Sequence, residues 1–403
     1  MKKIISLLLA ILFMFLALGS AAANSSALQP FAVNSRAALV MDLETGQIIY
    51  AQNIDEELPP ASISKLIVMY IIFEAMENGI IRLEDKIPAS ANAHGLSPDQ
   101  SQLFLGLGEA LTVRKLLYSI ATISANDAAI VLAERIAGSE SAFVDLMNQR
   151  ARDMGLTSTK FTNVHGLHNI HHVMSARDIA VLSRNIILDY PQVLEYSKVR
   201  RMRLERETRF VRQGYFDLDS TFAPLIGWRN LDGLKTGWTP QAGRGITATA
   251  MENDRRYVVV VLGAETVNSR AEVVRQLFND AFANFTSITP YTQQQELERI
   301  QVQGARVREI AVGPSQDIML VARRGSGIET FREERVFNAK LKAPLKEGDV
   351  VGSLNFYNGE ELVSQTDLVL LEDAAKANFM VLGLRFLRET LTQLGHWLMD
   401  RIS

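Results

Sequence analysis

Three short segments of this 403-residue chain carry side chains that could make and break an acyl bond. The first places a hydroxyl and an amine three positions apart, at Ser62 and Lys65. The second is Ser124-Ala125-Asn126 and the third is Lys235-Thr236-Gly237. Cleaving an amide through an acyl intermediate needs a nucleophile, a base, a donor to the leaving amine and a site for the oxyanion. These residue types could supply all four functions without a histidine.

The pair Ser62 and Lys65 is predicted to open a buried helix. Two prolines precede the pair, and the mostly apolar segment 63–77 is predicted to be helical. Free N–H groups and the dipole at that helix end favour negative charge beside Ser62. Lys65 lies on the same face one turn later. In an apolar pocket beside a second cation, which we expect to be Lys235, Lys65 would lose its proton readily and act as the base.

The second segment, Ser124-Ala125-Asn126, is predicted to form a turn that caps the following helix. We expect Ser124 to pass a proton to the leaving amine and Asn126 to hydrogen-bond the substrate amide. Capping and catalysis can coexist there. Ser62 alone could equally be an ordinary helix cap, with Lys65 a solvated helix lysine. The presence of all three segments in one chain favours catalysis.

The third segment is predicted to lie on a strand of an antiparallel sheet. Two further strands are predicted at 245–251 and 257–263, with a turn between them. The Thr236 hydroxyl could hydrogen-bond a carboxylate. Gly237 has no Cβ, which would let a substrate lie close to the strand backbone.

The three segments in this order resemble the penicillin-binding proteins and serine β-lactamases. Their flanks, 59–65, 123–129 and 231–237, are similar to those of the low-molecular-mass penicillin-binding proteins that are D-alanyl-D-alanine carboxypeptidases. The resemblance implies an α/β (α+β) serine-acylating domain with an antiparallel sheet and a helical subdomain. It implies removal of the terminal D-alanine from peptidoglycan pentapeptides through an acyl-enzyme on Ser62, and acylation of Ser62 by β-lactams. It implies no cofactor.

The resemblance also implies roles for two further residues. The oxyanion site would be formed by the N–H groups of Ser62 and Trp238. The family often has histidine at the latter position, so a backbone donor carries over but any side-chain role in deacylation is left open. Arg270 would help to hold the terminal carboxylate of the substrate, although it could also be an ordinary first-turn arginine of a helix at 271–285.

A cluster of histidines suggests a different chemistry, a zinc peptidase site. The chain contains no H-E-x-x-H, however, and the segments 161–167 and 175–180 resemble loops of the serine family. Ser175 is predicted to cap the next helix, with Asp178 at its third position. We therefore interpret the cluster as a structural loop or a loop at the edge of the cleft, and we predict no metal. Its members are His165, His168, His171 and His172.

Composition and the N-terminus predict an exported protein. Residues 1–23 have the charged start, apolar run and small-residue cleavage site of a signal peptide. The chain has no cysteine, which excludes a disulfide framework and a thiol nucleophile. Its net charge of −3 argues against nucleic acid as a partner. We expect a periplasmic protein attached peripherally to the outer face of the cytoplasmic membrane.

The remaining chain is predicted to form two domains and a terminal helix. The first domain, 31–290, holds the three motifs. Residues 293–372 contain several short predicted strands, and we predict that they form a small all-β spacer domain. Predicted helices of the first domain lie at 113–137, 140–154 and 176–188, and predicted strands of the second lie at 301–307, 318–322, 350–356 and 362–371.

The last segment, 376–403, is predicted to be an amphipathic helix in a membrane surface. Charged residues interrupt its apolar run, so it cannot span a bilayer. The alternative is a helix docked on its own β domain. The apolar stripe consists of Met380, Leu384, Leu387, Leu391, Leu394, Leu398 and Ile402.

Two other functions are compatible with the same motifs. One is a serine β-lactamase, although no class A glutamate motif follows Ser124-Ala125-Asn126 and the extra domain and tail are unexpected. The other is a weakly active protein of the same fold that binds the cell wall or maintains cell shape. Turnover of a D-Ala-D-Ala peptide, measured beside the rate of penicillin release, distinguishes the three.

Overall fold

The computed structural model describes residues 31–222, 224–381, 383 and 390–392. The predicted signal peptide lies outside these residues, and so does most of the predicted membrane-surface helix. Within the described ranges, no helix combines the length and the apolar character needed to cross a membrane.

Helices and strands alternate irregularly along the first part of the chain, and strands dominate the rest. The strands are β1 Ala37–Asp42, β2 Ile48–Gln52, β3 Lys86–Pro88, β4 Ala110–Thr112, β5 Arg201–Glu205, β6 Tyr215–Asp219, β7 Leu231–Thr239, β8 Gly243–Glu252, β9 Arg255–Ala264, β10 Phe285–Tyr291, β11 Glu298–Gln301, β12 Glu309–Pro314, β13 Ile318–Arg323, β14 Arg332–Phe337, β15 Val350–Asn358 and β16 Glu361–Leu370. The helices are α1 Lys65–Glu77, α2 Ala91–His94, α3 Val113–Thr122, α4 Asn126–Ala137, α5 Glu140–Asp153, α6 Ala176–Asp189, α7 Val193–Ser197 and α8 Val267–Asn284.

Five strands form an antiparallel sheet in the order β2-β1-β9-β8-β7. Because side chains alternate between the two faces of a strand, each face of the sheet builds its own core. The paired residues Leu39 and Val260 belong to the core on the helical side. The next pair, Val40 and Val259, belongs to the core that contains α8. Both faces are covered, which explains why β1 is buried along its whole length.

Helix α1 occupies the centre of the helical subdomain, where it contacts α4, α5 and α6. Nine of its thirteen residues are buried, as expected for a helix that is apolar on all sides. It begins at Lys65, directly after a 3₁₀ turn at Ala61–Ser64. The amine of Lys65 is therefore attached to a backbone that lies inside the core.

The helix predicted at 113–137 is wrong, because the chain breaks it at Ser124. Helix α3 ends and α4 begins on either side of this residue, whose φ of 63° lies in the left-handed region. The Asn126 N–H donates to the carbonyl of Ser101 at 2.8 Å, so a neighbouring loop takes the bond that a continuous helix would have used. The break turns the Asn126 side chain toward α1.

The C-terminal strands build a second sheet in the order β11-β12-β16-β15-β14 with its own apolar core. The strand predicted at 301–307 is wrong: β11 ends at Gln301, and the chain turns away at Gly304, where φ is 74°. The other predicted strands of this region match β13, β15 and β16 closely. Together the two sheets and the helical subdomain confirm the predicted fold class.

Strand β10 joins the two regions. The first domain was predicted to extend to residue 290, but β10 pairs with β13 of the second region, with Phe285 opposite Arg323. Val321 on β13 belongs to the core around α8. The buried Gln47 amide both donates to and accepts from the Val321 backbone, at 2.7 and 2.9 Å. The β-rich region is thus bound directly to the sheet that carries the motifs.

Candidate active site

Ser62 lies in the 3₁₀ turn between two closely packed segments. A Cβ on Gly237 would lie 2.6 Å from the Pro60 carbonyl oxygen, and a Cβ on Gly166 would collide with the carbonyl of Ala61. Both glycines are therefore needed where β7 and the loop before α6 meet the turn. We predicted that Gly237 would make room for a substrate, but the atoms that crowd its position belong to the turn of Ser62.

Lys65 lies beside Ser62, and its amine contacts three oxygen atoms inside the core. Its side chain is fully buried, and Nζ donates to Ser62 Oγ at 3.1 Å, Asn126 Oδ1 at 2.7 Å and the His165 carbonyl at 2.6 Å. Burial and the charge of Lys235 lower the pKa of Lys65 well below its ordinary value, while the charge of Asp127 acts in the opposite direction. No carboxylate forms an ion pair with Lys65 among the described residues. The neutral amine is favoured, as a base requires.

The second motif contributes one partnered and one unpartnered group. Asn126 bridges the site: its amide oxygen accepts from Lys65, and its amide nitrogen donates to Gln100 Oε1 at 3.0 Å. The Ser124 hydroxyl is buried and has no hydrogen-bond partner within the part of the chain that the structure describes. A buried hydroxyl without a partner is costly, so it is suited to a group that arrives with the substrate.

A loop that sequence reasoning missed holds this motif in place. The buried Asp127 carboxylate accepts from the N–H groups of Leu103 and Leu105, at 2.9 and 3.2 Å. This fastens the loop that carries Gln100 to the start of α4. Asp127 could have been predicted from the sequence, because a carboxylate in the first turn of an apolar helix indicates a role at the helix N-terminus. Nothing in the sequence pointed to Gln100.

The third motif places a cation and a hydroxyl at the far side of the site. Lys235 is buried, and its ammonium donates to the Thr236 carbonyl at 3.1 Å. Burial, and then the charge of Arg270, lower the pKa of Lys235 to about 7. The Thr236 hydroxyl lies 2.7 Å from that of Thr221. Thr221 was also missed by sequence reasoning.

Arg270 is buried rather than a solvated residue of the first turn of α8. Its Nη1 donates to the Gly245 carbonyl at 3.3 Å, and its buried Nε has no partner among the described residues. Burial, and then the charge of Arg244, lower the pKa of Arg270 to about 10. Among the described residues neither Arg270 nor Lys235 forms an ion pair with a carboxylate, which favours an anionic group in this part of the site.

Trp238 lies on β7, which is at the edge of its sheet. One side of β7 pairs with β8, and no other described strand pairs with the opposite side, where an extended peptide could add. The Trp238 side chain is 52% exposed and faces Arg244. The expected oxyanion donors, the N–H groups of Ser62 and Trp238, thus belong to elements that touch at Gly237.

Two members of the histidine cluster lie near the site: His172 is buried and has a structural role, and His165 contacts Lys65. His172 Nδ1 accepts from the Thr162 N–H, so Nε2 carries the proton and donates to Ser64 Oγ at 2.7 Å. Burial and the charge of Lys65 lower the pKa of His172 to about 4 and that of His165 to about 3. The His165 backbone carbonyl accepts a hydrogen bond from Lys65 Nζ. Across the described ranges, no group of three histidine, aspartate or glutamate side chains is arranged to hold a metal ion.

Comparisons with known proteins agree with this geometry. The sequence profile of the D-alanyl-D-alanine carboxypeptidase family matches residues 23–266, and that of the penicillin-binding protein 5 C-terminal domain matches residues 285–376. The D-alanyl-D-alanine carboxypeptidase DacF of Bacillus subtilis is 30% identical over 399 residues, which cover 98% of this chain and 99% of that one.

Two solved structures extend the comparison. The crystal structure of penicillin-binding protein 5 from Haemophilus influenzae has a TM-score of 0.74 and 27% identity, covering 86% of this chain and 99% of its own. The ampicillin-bound structure of penicillin-binding protein D2 from Listeria monocytogenes has a TM-score of 0.55 and 30% identity, covering 63% of this chain and 100% of its own. The resemblance predicted from the three motifs is confirmed. The chain belongs to the family of serine-type D-alanyl-D-alanine carboxypeptidases, which are penicillin-binding proteins.

Proposed function

We propose that Ser62 attacks the carbonyl carbon of the penultimate D-alanine, with Lys65 as the base. The 3.1 Å contact between Lys65 Nζ and Ser62 Oγ, inside a pocket that favours the neutral amine, is the observation that carries this assignment. Lys65 takes the hydroxyl proton as the ester bond forms. The N–H groups of Ser62 and Trp238 stabilise the oxyanion.

Release of the terminal D-alanine needs a proton on its nitrogen. The unpartnered Ser124 hydroxyl passes the proton from Lys65 to this amine, and the C–N bond breaks. Asn126, held by Gln100, hydrogen-bonds the substrate amide. A water then attacks the ester, and free Ser62 and the shortened peptide result.

The cations at the far side of the site bind the terminal carboxylate of the pentapeptide. Lys235 and Arg270 supply the charge, and Thr236 supplies a hydroxyl. The peptide lies along the edge of β7 with which no described strand pairs. A β-lactam presents its carboxylate and its reactive carbonyl in the same way and acylates Ser62. The structure of the Listeria relative, solved with ampicillin bound, supports this part of the proposal.

We further propose that the chain is exported by residues 1–23 and works in the periplasm. The first predicted domain, without β10, is the catalytic domain, and β10 joins residues 293–372 in the spacer. The terminal helix attaches the protein to the outer face of the cytoplasmic membrane. Among its described residues, the side chains of Phe379 and Met380 are 85% and 62% exposed, which leaves apolar surface available for lipid.

Intact-protein mass spectrometry after exposure to penicillin tests the proposal together with D-alanine release from a D-Ala-D-Ala peptide. We expect one penicilloyl adduct and steady peptide turnover, and neither in Ser62→Ala. An adduct on Ser62→Ala would assign the nucleophile to another residue. Rapid loss of the adduct with little peptide turnover would favour a β-lactamase. A stable adduct without turnover would favour the weakly active wall-binding protein.

A further inference from the structure

Arg244 belongs to none of the three motifs, but its side chain is fixed next to the third. It lies on β8 directly opposite Trp238 in the sheet register. Its guanidinium carbon is 4.5 Å from the centre of the indole ring, a cation–π contact that restricts where the charge can lie. The side chain is partly exposed, so it is in contact with solvent.

Arg244 also lies beside Arg270. The Arg270 guanidinium donates to the carbonyl of Gly245, the residue after Arg244, at 3.3 Å. The charge of Arg244 contributes to the lowered pKa of Arg270. In the described part of the chain neither guanidinium has a carboxylate partner, and the buried Nε of Arg270 has no acceptor. Two neighbouring guanidinium groups without an acid repel each other, and an anion between them would relieve that repulsion.

We propose that Arg244, held in place by Trp238, is a second guanidinium group for the terminal carboxylate of the substrate. This inference rests on the proposed function, because it assumes that the peptide lies along β7 with its carboxylate near Arg270. Arg270 and Lys235 contact the carboxylate from the buried side. Arg244 approaches it from the solvent side, where it also attracts the anionic end of the peptide during encounter. The site therefore discriminates in favour of peptides that end in a free carboxylate.

Steady-state kinetics with a D-Ala-D-Ala peptide test the role of Arg244. In Arg244→Gln we expect KM to rise roughly five- to tenfold with kcat little changed, because a charged hydrogen bond to the bound substrate is lost. The fall of kcat/KM with added salt should be weaker in Arg244→Gln and retained in Arg244→Lys. Arg332→Gln is the matched control: Arg332 also stacks on an aromatic ring, 4.0 Å from the centre of Tyr357, but in the β-rich region. It should leave KM unchanged.

A second substrate analogue separates carboxylate binding from a general disturbance of the site. The same peptide with an amidated terminus, used as a competitive inhibitor, should bind wild type and Arg244→Gln equally. The double variant Trp238→Ala, Arg244→Gln should raise KM by less than the product of the two single effects. The reason is that the indole ring acts partly by holding the arginine.

Several outcomes would overturn the inference while the proposed function stands. If wild type turns over the peptide and Arg244→Gln has the same KM, Arg244 does not bind the carboxylate. An equal loss of affinity for the free and amidated peptides would show a structural effect, and so would an equal change in Arg332→Gln. Absence of turnover in wild type, by contrast, would count against the proposed function itself.

Discussion

Lys65 and Lys235 are the same side chain, but their surroundings suit them to different tasks. The amine of Lys65 lies within hydrogen-bond distance of three oxygen atoms, one of which is Ser62 Oγ, and burial and a nearby cation favour its neutral form. Lys235 bonds a single backbone carbonyl and lies beside Arg270. The first is placed to take a proton, and the second is placed to meet an anion.

Arginine substitution at each lysine tests this division. Lys65→Arg should slow penicillin acylation by roughly 10²–10⁴-fold, because a guanidinium stays protonated and cannot act as a base. Lys235→Arg keeps a cation that binds carboxylate and should cost roughly tenfold or less. Acylation rates from mass spectrometry measure both. Equal losses in the two variants would contradict the assignment of Lys65 as the base.

The pH dependence of wild type and of Lys235→Arg gives a second test of the role of Lys235. The pKa of Lys235 is about 7, so its charge is present below that pH and is lost as the pH rises through it. We expect kcat/KM for the peptide to fall on the alkaline side in wild type and to stay level to about pH 9 in Lys235→Arg. Lys65 must be neutral, so activity should fall at acid pH in both proteins. If kcat/KM still declines at alkaline pH in Lys235→Arg, the decline is due to the titration of another group.

At the scale of elements, the site depends on how closely a loop and a strand approach the turn of Ser62. Gly166 has a φ of 85° and no room for a Cβ beside Ala61. Gly237 has the same lack of room beside Pro60. These contacts press the 3₁₀ turn between β7 and the loop that carries the His165 carbonyl. Secondary structure alone would not place Ser62 against the His165 carbonyl and β7.

Alanine at Gly166 should therefore weaken both the fold and the site. Left-handed backbone costs an L-residue roughly 1–2 kcal/mol, and the collision with Ala61 adds to that. Gly155→Ala is the matched control, because Gly155 has a φ of 71° and nothing within 4 Å of a Cβ. In urea unfolding both variants should lose stability, Gly166→Ala by more. Penicillin acylation should slow only in Gly166→Ala. Equal acylation rates in the two variants would show that this approach does not position Ser62.

At the scale of the whole molecule, the β-rich region holds the start of the tail. The N–H groups of Ala374 and Ala377 donate to Leu345 and Gly304, at 3.0 and 2.8 Å. The tail was predicted to be helical from residue 376, but the helix starts later, where Asn378 caps it by accepting from the Val381 N–H at 3.0 Å. A truncation that leaves the β-rich region intact must therefore follow Asn378.

Removing the residues after Asn378 should release the mature protein into the soluble periplasmic fraction. In the proposed attachment the apolar stripe supplies the membrane contact, at roughly 1.5–3 kcal/mol for each fully buried side chain. Peptide turnover in solution should stay nearly unchanged, because the site lies in the other region. Leu387→Asp combined with Leu394→Asp should act like the truncation. Cell fractionation measures release, and a truncated protein that stays membrane-bound after signal-peptide cleavage would exclude this helix as the anchor.

The sequence by itself determined the chemistry and most of the elements. The three motifs are local patterns, and so are the strands β8 and β9 and the Ser175 cap, whose hydroxyl accepts from the Asp178 N–H at 3.1 Å. Each depends on residues that are near one another along the chain, so propensity and periodicity suffice to predict it.

The tertiary structure decided the features that depend on distant residues. The break at Ser124 follows from a bond between Asn126 and Ser101, and the orientation of Asn126 follows from Gln100. The pairing of Trp238 with Arg244 follows from the register of β7 and β8. The lowered pKa of Lys235 follows from burial and from the charge of Arg270. None of these can be read from the sequence, because each requires knowing which segments the folded chain brings together.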